Sequence, residues 1–304
     1  MNENIDGKEN KTVINWYPGH MAKTKKQIIE DLKLIDVVVE ILDARIPKAS
    51  VNPDIRKYIE NKKKVVVLNK CDLAEETENS KWVKEFGKQN VPAVLVDSNS
   101  GKGVQDVIKQ IEKVYEETKN EYSSKGRVGK SIRVMVIGIP NVGKSSFINR
   151  ITKKTSANVG NKPGVTRQKQ WVRVNEKIEL LDTPGVLWPK FEEEQIALKL
   201  AYTGTIKDDI LQKVDIAYNL LKYLLENEQE RIVERYKISK EEIQQEFENT
   251  DRMENENILE IMYKIGRKRG AIVSGGHVDE EKVANIILED FRSGKLGRIT
   301  IEKI

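Results

Sequence analysis

The stretch RVMVIGIPNVGKSSFINRI, Arg133 to Ile151, decides the fold. It opens on a mostly apolar run, Arg133 to Ile137, suited to a buried strand, and ends on helical spacing from Lys144 to Ile151. Between them GIPNVGKSS, Gly138 to Ser146, matches the phosphate-binding pattern G-x-x-x-x-G-K-[ST] in the strand-to-helix setting that the pattern requires. Gly138 and Gly143 let the backbone wrap around phosphate oxygens. The N–H groups from Asn141 through Val142, Gly143, Lys144, Ser145 and Ser146 then face the anion, together with the positive end of the helix. Lys144 is expected to neutralise the outer phosphates and the Ser145 hydroxyl to ligate magnesium.

Working outward, three earlier segments repeat the apolar-strand pattern: Val37 to Leu42 ending at Asp43, Val65 to Leu68, and Pro92 to Val96. Helical patterns precede them at Met21 to Leu34, Asn52 to Glu60 and Ser80 to Lys88, and another follows at Val104 to Glu121. Alternating strands and helices predict a mostly parallel α/β sheet. Tyr122 to Lys130, rich in Ser, Gly and Lys, reads as a linker. Two further strands are expected at Gln170 to Val174 and Ile178 to Leu181. Past Trp188 only helical periodicity is found, at Asp209 to Glu226, Ile243 to Glu248, Ile258 to Gly266 and Glu280 to Phe291. The expected organisation is a disordered tail over 1–14, an α/β domain over 15–190 and an all-α domain over 191–304.

Composition narrows the class. The 304 residues suffice for two domains of ordinary size. A charged fraction of 33%, with no apolar run of about 18 residues and no apolar leader core, predicts a soluble cytoplasmic protein without a membrane span. One cysteine, Cys71, and two histidines exclude an internal disulfide and a tetrahedral zinc site. A net charge of +5 leans toward an anionic partner.

At the end of the second strand stands NKCD: Asn69, Lys70, Cys71 and Asp72. It resembles the guanine-reading N-K-x-D of the GTPase superfamily. That resemblance implies that Asp72 accepts hydrogen bonds from the ring N–H and exocyclic amine of guanine. It also implies that Asn69 contacts the base edge, and that Lys70 lies along the base and ties down the phosphate loop. Adenine presents the wrong donors, and a carboxylate left unpaired would reject it. Ser98 and Asn99, with Ser100, resemble the weaker motif that supports the base through backbone N–H groups. DTPG, Asp182 to Gly185, resembles switch II, with Asp182 holding magnesium and the Gly185 N–H sensing the terminal phosphate. In KPGVTRQ, Thr166 is then the switch I residue that completes the magnesium shell when triphosphate is bound.

In a standard GTPase the phosphate loop and switches precede N-K-x-D, whereas here Asn69 precedes Gly138. The same sheet can form from a circularly permuted chain, because domain termini lie close together. WYPGHMAK (Trp16 to Lys23), DARIP (Asp43 to Pro47) and FRSGKLGRITIE (Phe291 to Glu302) closely resemble the ribosome biogenesis GTPase A family, and the likeness covers nearly all of the chain after the tail. The family implies a permuted P-loop GTPase followed by a helical RNA-binding domain. It implies binding of GTP and GDP with magnesium, and assistance to late maturation of the large ribosomal subunit through rRNA and ribosomal proteins.

Where Ras-like proteins carry a glutamine after D-x-x-G, this chain has Val186 and Leu187, which cannot polarise water. The family resemblance offers His20 in its place, titrating near neutrality. Packing against the domain or contact with RNA is the alternative role. Asn141 matches the asparagine that helps several such GTPases hold potassium, though an ordinary loop asparagine has the same identity. In the helical half, Arg267, Lys268 and Arg269, with Lys295 and Arg298, are expected to meet rRNA phosphates, or else to form a solvated helix end. His277 lacks a ligand cluster and reads as structural or as a contact residue. The expected activity is a monomeric GTP-hydrolysing switch that binds the maturing large subunit and leaves after hydrolysis. The rival is a signalling switch that acts on a protein partner through the helical domain.

Overall fold

The computed structural model describes residues 19–121, 131–153, 171–183, 194–206, 212–248 and 254–304. Residues 1–18 and 122–130, Thr166 and Gly185 lie outside the described residues, as do the side chains of His20 and Asp182.

Six strands form one sheet: β1 (Val37–Asp43), β2 (Lys63–Asn69), β3 (Ala93–Val96), β4 (Ile132–Ile137), β5 (Trp171–Arg173) and β6 (Ile178–Asp182). Their spatial order is β3-β2-β1-β4-β6-β5, parallel except where β5 meets β6. All seven residues of β1 are buried, which explains its unbroken apolar character: a central parallel strand is covered on both faces. The phosphate-loop strand β4 lies between β1 and β6, and β2 lies on the far side of β1. Parallel pairing therefore brings the C-terminal ends of β2, β1, β4 and β6 to one edge. There the register sets Asp43 beside Asn69, and Asp182 beside Val136. A nucleotide site in an open α/β sheet belongs at that edge.

Around the sheet stand α1 (Gly19–Asp31), α2 (Pro53–Ile59), α3 (Glu76–Lys88), α4 (Val104–Glu121) and α5 (Lys144–Lys153). The Asn52 side chain caps α2, accepting from the N–H groups of Asp54 and Ile55. Among the described residues beyond β6 the elements are helices: α6 (Glu194–Tyr202), α7 (Lys213–Asn227), α8 (Gln229–Tyr236), α9 (Lys240–Phe247), α10 (Glu254–Lys268) and α11 (Glu280–Arg292). Of these, α6 and α8 are not anticipated by the sequence reading. α8 is half of a pair with α7, and the single residue Glu228 separates them. No described helix is long and apolar enough to cross a membrane.

One apolar cluster runs without a break from the sheet (Val37, Val134, Leu180) through α6 (Ala197, Leu200) to α7 and α11 (Leu220, Leu224, Ile287). Unfolding either part exposes surface of the other. Leu200→Ala, at the fully buried junction, should cost about 2–5 kcal/mol. Urea unfolding followed by tryptophan fluorescence and by far-ultraviolet circular dichroism should shift together. Separate transitions would contradict the shared core.

Candidate nucleotide site

The phosphate loop forms as its residue types dictate. Asn141 and Gly143 take positive φ (60° and 92°). A Cβ on Gly143 would fall 2.2 Å from the Asn69 amide nitrogen, so this position requires glycine for backbone and space alike. The Gly143 carbonyl accepts from the Phe147 N–H, which joins the loop to α5. Lys144 is buried, whereas Ser145 and Ser146 are exposed on the first turn of that helix.

Asn69 lies at the centre of the site and is 2% exposed. Its amide nitrogen donates to the Val142 carbonyl (2.7 Å), and its oxygen accepts from the Ser98 N–H (3.2 Å) and hydroxyl (2.7 Å). Both ends of the amide are thus bonded inside the protein, and the residue braces three loops in addition to the base contact that the motif implies. The Ser98 and Asn99 N–H groups, expected to support the base, are likewise engaged in the loop, on Asn69 and on the Asp97 carboxylate (2.8 Å). Burial opposes charge on Asp97, but the Ser100 hydroxyl and the Asn99 and Ser100 N–H groups outweigh it and lower the Asp97 pKa.

Lys70, at φ 58°, turns back over the loop, donating to the Asn141 carbonyl at 2.9 Å and pairing with Asp43 at 3.0 Å. Asp43 and Arg45 form a fully buried bidentate pair, with Nε to Oδ1 at 3.0 Å and Nη2 to Oδ2 at 2.8 Å. Burial works against the Asp43 charge, but Arg45 and Lys70 more than offset it and hold the carboxyl far below its ordinary range. These two residues of DARIP support the site, a role the motif alone did not disclose. The available signal was an acid at the end of the strand beside Asn69.

Asp72 is exposed, on the turn that follows β2. Partial desolvation, aided by Asp97, raises its carboxyl above the ordinary value. Thr183 anchors the end of β6 by donating to the Val136 carbonyl at 2.6 Å. The Asn141 amide donates to the Gly204 carbonyl at 2.8 Å, so the phosphate loop touches the turn after α6. His20 stands on the first turn of α1.

A cavity of about 800 Å³ opens in the helical half; its charged lining is Arg231, Arg235, Lys237, Lys268, Arg269 and Lys295, with one carboxylate, Glu234. Arg235 is held bidentately by Asp290, and the Arg269 guanidinium sits 5.4 Å from the Tyr236 ring centroid. Of the expected cationic group, Lys268, Arg269 and Lys295 meet here, and Arg267 is exposed nearby in sequence. Arg298 is elsewhere: it donates to the Ala74 (2.6 Å) and Cys71 (2.9 Å) carbonyls. Arg231, Arg235 and Lys237 escaped the sequence reading because α8 itself did. His277 is exposed, and no group of metal-binding side chains forms among the described residues.

Residues 133–262 match a family model described as a 50S ribosome-binding GTPase. The ribosome biogenesis GTPase A of Bacillus licheniformis is 42% identical, with 96% of this chain and 98% of that protein covered. The mitochondrial ribosome-associated GTPase 1 of Mus musculus is 34% identical, covering 96% of this chain and 90% of its own length. Among solved structures, GNP-bound YlqF from T. maritima superposes with a TM-score of 0.62 at 26% identity, covering 92% of this chain and 98% of the other.

Replacing Asp43 by Asn leaves the buried Arg45 charge without its counter-ion, and should lower stability at pH 7 by about 3–5 kcal/mol. The folded pKa of Asp43 is depressed, so its contribution is present above the unfolded value of about 3.9 and disappears as the pH falls further. Denaturant titrations should show the parent's advantage over Asp43→Asn shrinking below about pH 4. Equal stability at pH 7 would refute the pairing.

Proposed function

Because this chain belongs to the ribosome biogenesis GTPase A family, we propose that it hydrolyses GTP at the β-sheet edge and uses the bound state to engage the maturing large ribosomal subunit. The observation that carries the reading is the bracing of the guanine loop against the phosphate loop. Asn69 and Lys70 each bond a phosphate-loop carbonyl, at 2.7 and 2.9 Å, although about 70 residues separate them in sequence. One guanine nucleotide fits the two segments so joined. Asp72 would accept from the base, while Asn141 to Ser146 would bond the phosphates through N–H groups and Lys144 would offset their charge.

Magnesium takes hard oxygen ligands, and the donor set suits it: an exposed Ser145 hydroxyl on α5, and an aspartate, Asp182, at the end of β6, the strand paired with the β4 strand that leads into the phosphate loop. Ser145, Asp182 and, in the triphosphate state, Thr166 would hold it. The ion would neutralise phosphate charge. Gly185 would report the terminal phosphate through its N–H.

Val186 and Leu187 cannot orient water, so turnover by the isolated chain should be slow. His20 is the group proposed to hold the attacking water once the partner is engaged. Asn141 keeps its side-chain oxygen for a potassium ion, since its nitrogen is the atom given to Gly204. The basic cavity between α8, α10 and the segment after α11 suits rRNA phosphates. Hydrolysis would end the complex and release the protein.

Two experiments test this. Asp72→Asn should weaken GDP about 100-fold and strengthen the xanthine nucleotide, whose C2 carbonyl accepts from an amide. Calorimetry with unchanged guanine preference would refute the base assignment. Purified large-subunit precursors should raise GTP turnover at least about tenfold, in a salt-sensitive manner, and small subunits should not. His20→Ala should abolish the stimulation, and sodium in place of potassium should reduce it. Stimulation by a non-ribosomal protein alone would favour the signalling reading.

A further inference from the structure

We propose that the segment Arg298–Glu302, which follows the last helix, positions the guanine-reading turn, so that guanine affinity depends on the helical half being seated. The inference rests on the reading of Asp72 as the guanine acceptor.

The turn from Cys71 to Glu75 carries Asp72 between two strapped sides. The Arg298 guanidinium donates to the Cys71 carbonyl at 2.9 Å and to the Ala74 carbonyl at 2.6 Å. The Ile299 N–H donates to the Leu73 carbonyl at 2.9 Å, and the Glu75 N–H donates to the Thr300 hydroxyl at 2.9 Å. Every residue of the turn except Asp72 thus has a backbone group bonded to this segment. Asp72 is the one exposed residue of the turn.

The segment is itself fixed. Thr300 and Ile299 are buried. The Ile301 N–H donates to the Arg45 carbonyl, and Glu302 Oε2 accepts from the Lys48 and Ala49 N–H groups at 2.6 and 3.1 Å. Glu302 Oε1 pairs with Lys199 of α6 at 3.1 Å, and its carbonyl accepts from the Trp82 indole at 2.8 Å. Upstream, Gly294 sits so close to the turn that a Cβ there would lie 2.8 Å from the Leu73 side chain. A polar turn is intrinsically mobile, and it holds a carboxylate in register with a base only if something outside it fixes its backbone. Here the α/β domain supplies part of that support, through the Asn79 amide on the Cys71 carbonyl (2.9 Å) and the Cys71 N–H on the Val96 carbonyl (3.2 Å), and the helical half supplies the rest. Arg298 is a positioning residue: it has its effect through Asp72.

The test uses the full chain. Arg298→Ala removes two bonds to the turn. Thr300→Val, nearly isosteric, removes the acceptor of the Glu75 N–H and serves if the first variant folds poorly. Thermal melts establish that each variant is folded. GDP should then bind about tenfold more weakly, through faster dissociation. IDP provides the discriminating measurement. Its base lacks the exocyclic amine, so it makes one fewer bond to Asp72 and depends less on where that carboxylate stands. The preference for GDP over IDP should therefore fall severalfold. A folded variant that binds GDP as tightly as the parent overturns the inference. So does weakening of GDP and IDP by one common factor, which would indicate a merely structural role. Asp72→Asn run in parallel separates the two levels: if it retains guanine preference, the base assignment fails and takes this inference with it, whereas loss in Asp72→Asn with none in Arg298→Ala removes the strap alone.

Discussion

The site depends on one buried amide. Asn69 is enclosed among the phosphate loop, the end of β2 and the Ser98 turn, and it bonds to the protein through both its nitrogen and its oxygen. A buried amide with a partner removed would cost far more than its bonds contribute when made, so the three loops are held in one arrangement. Lys70 adds a second brace, and Asp43 and Arg45 keep that lysine in place from the interior. These contacts are indifferent to which loop comes first in the chain. Strand order in space sets them, which is why a permuted connection leaves the site whole.

Permutation does alter what the site is attached to. The residues after β6 lead into helices that return to the nucleotide edge at two places: Gly204 on Asn141, and the segment after α11, itself held by Lys199 of α6, on the turn that carries Asp72 and on Arg45. Arg292 secures this arrangement from behind by donating to the Ala201 and Tyr202 carbonyls at the end of α6. The helical half therefore touches the phosphate loop and the base loop separately.

How much of this could be read in the sequence follows from the range of the interactions. The apolar runs of β1, β2 and β4 and the glycine pattern at 138–143 are local, and they located the sheet and the phosphate loop. The role of Asn69 as a brace was not legible, because a two-sided amide looks the same in sequence as one that faces a base. α6 and α8 were missed for a different reason. They are short, of nine and eight residues, and α8 is strongly charged, so neither shows the long periodic stripe that marks a helix. Missing α8 hid half of the basic cavity. By charge and neighbourhood, all that the sequence offers, Arg298 belongs with the phosphate-binding cations, whereas its partners are carbonyls more than 220 residues away.

The two halves are joined by two kinds of contact with different consequences. The apolar cluster through Leu200 is non-directional and tolerates small shifts, so it holds the halves together without fixing their angle. The hydrogen bonds of Arg298, Thr300, Glu302 and Asn141 are directional, and each weakens steeply as its geometry opens. A small rotation about the apolar joint could therefore leave the core intact while loosening the base turn. Linkage makes such a dependence reciprocal: if seating the helical half strengthens guanine binding by some factor, bound guanine nucleotide strengthens the seating by the same factor. The basic cavity belongs to that same half, bounded by Gly294 to Gly297, the residues immediately before the strap. On the proposed reading, an anionic partner gripping the cavity would load the segment that bonds the Asp72 turn, and occupancy of one surface would bear on the other.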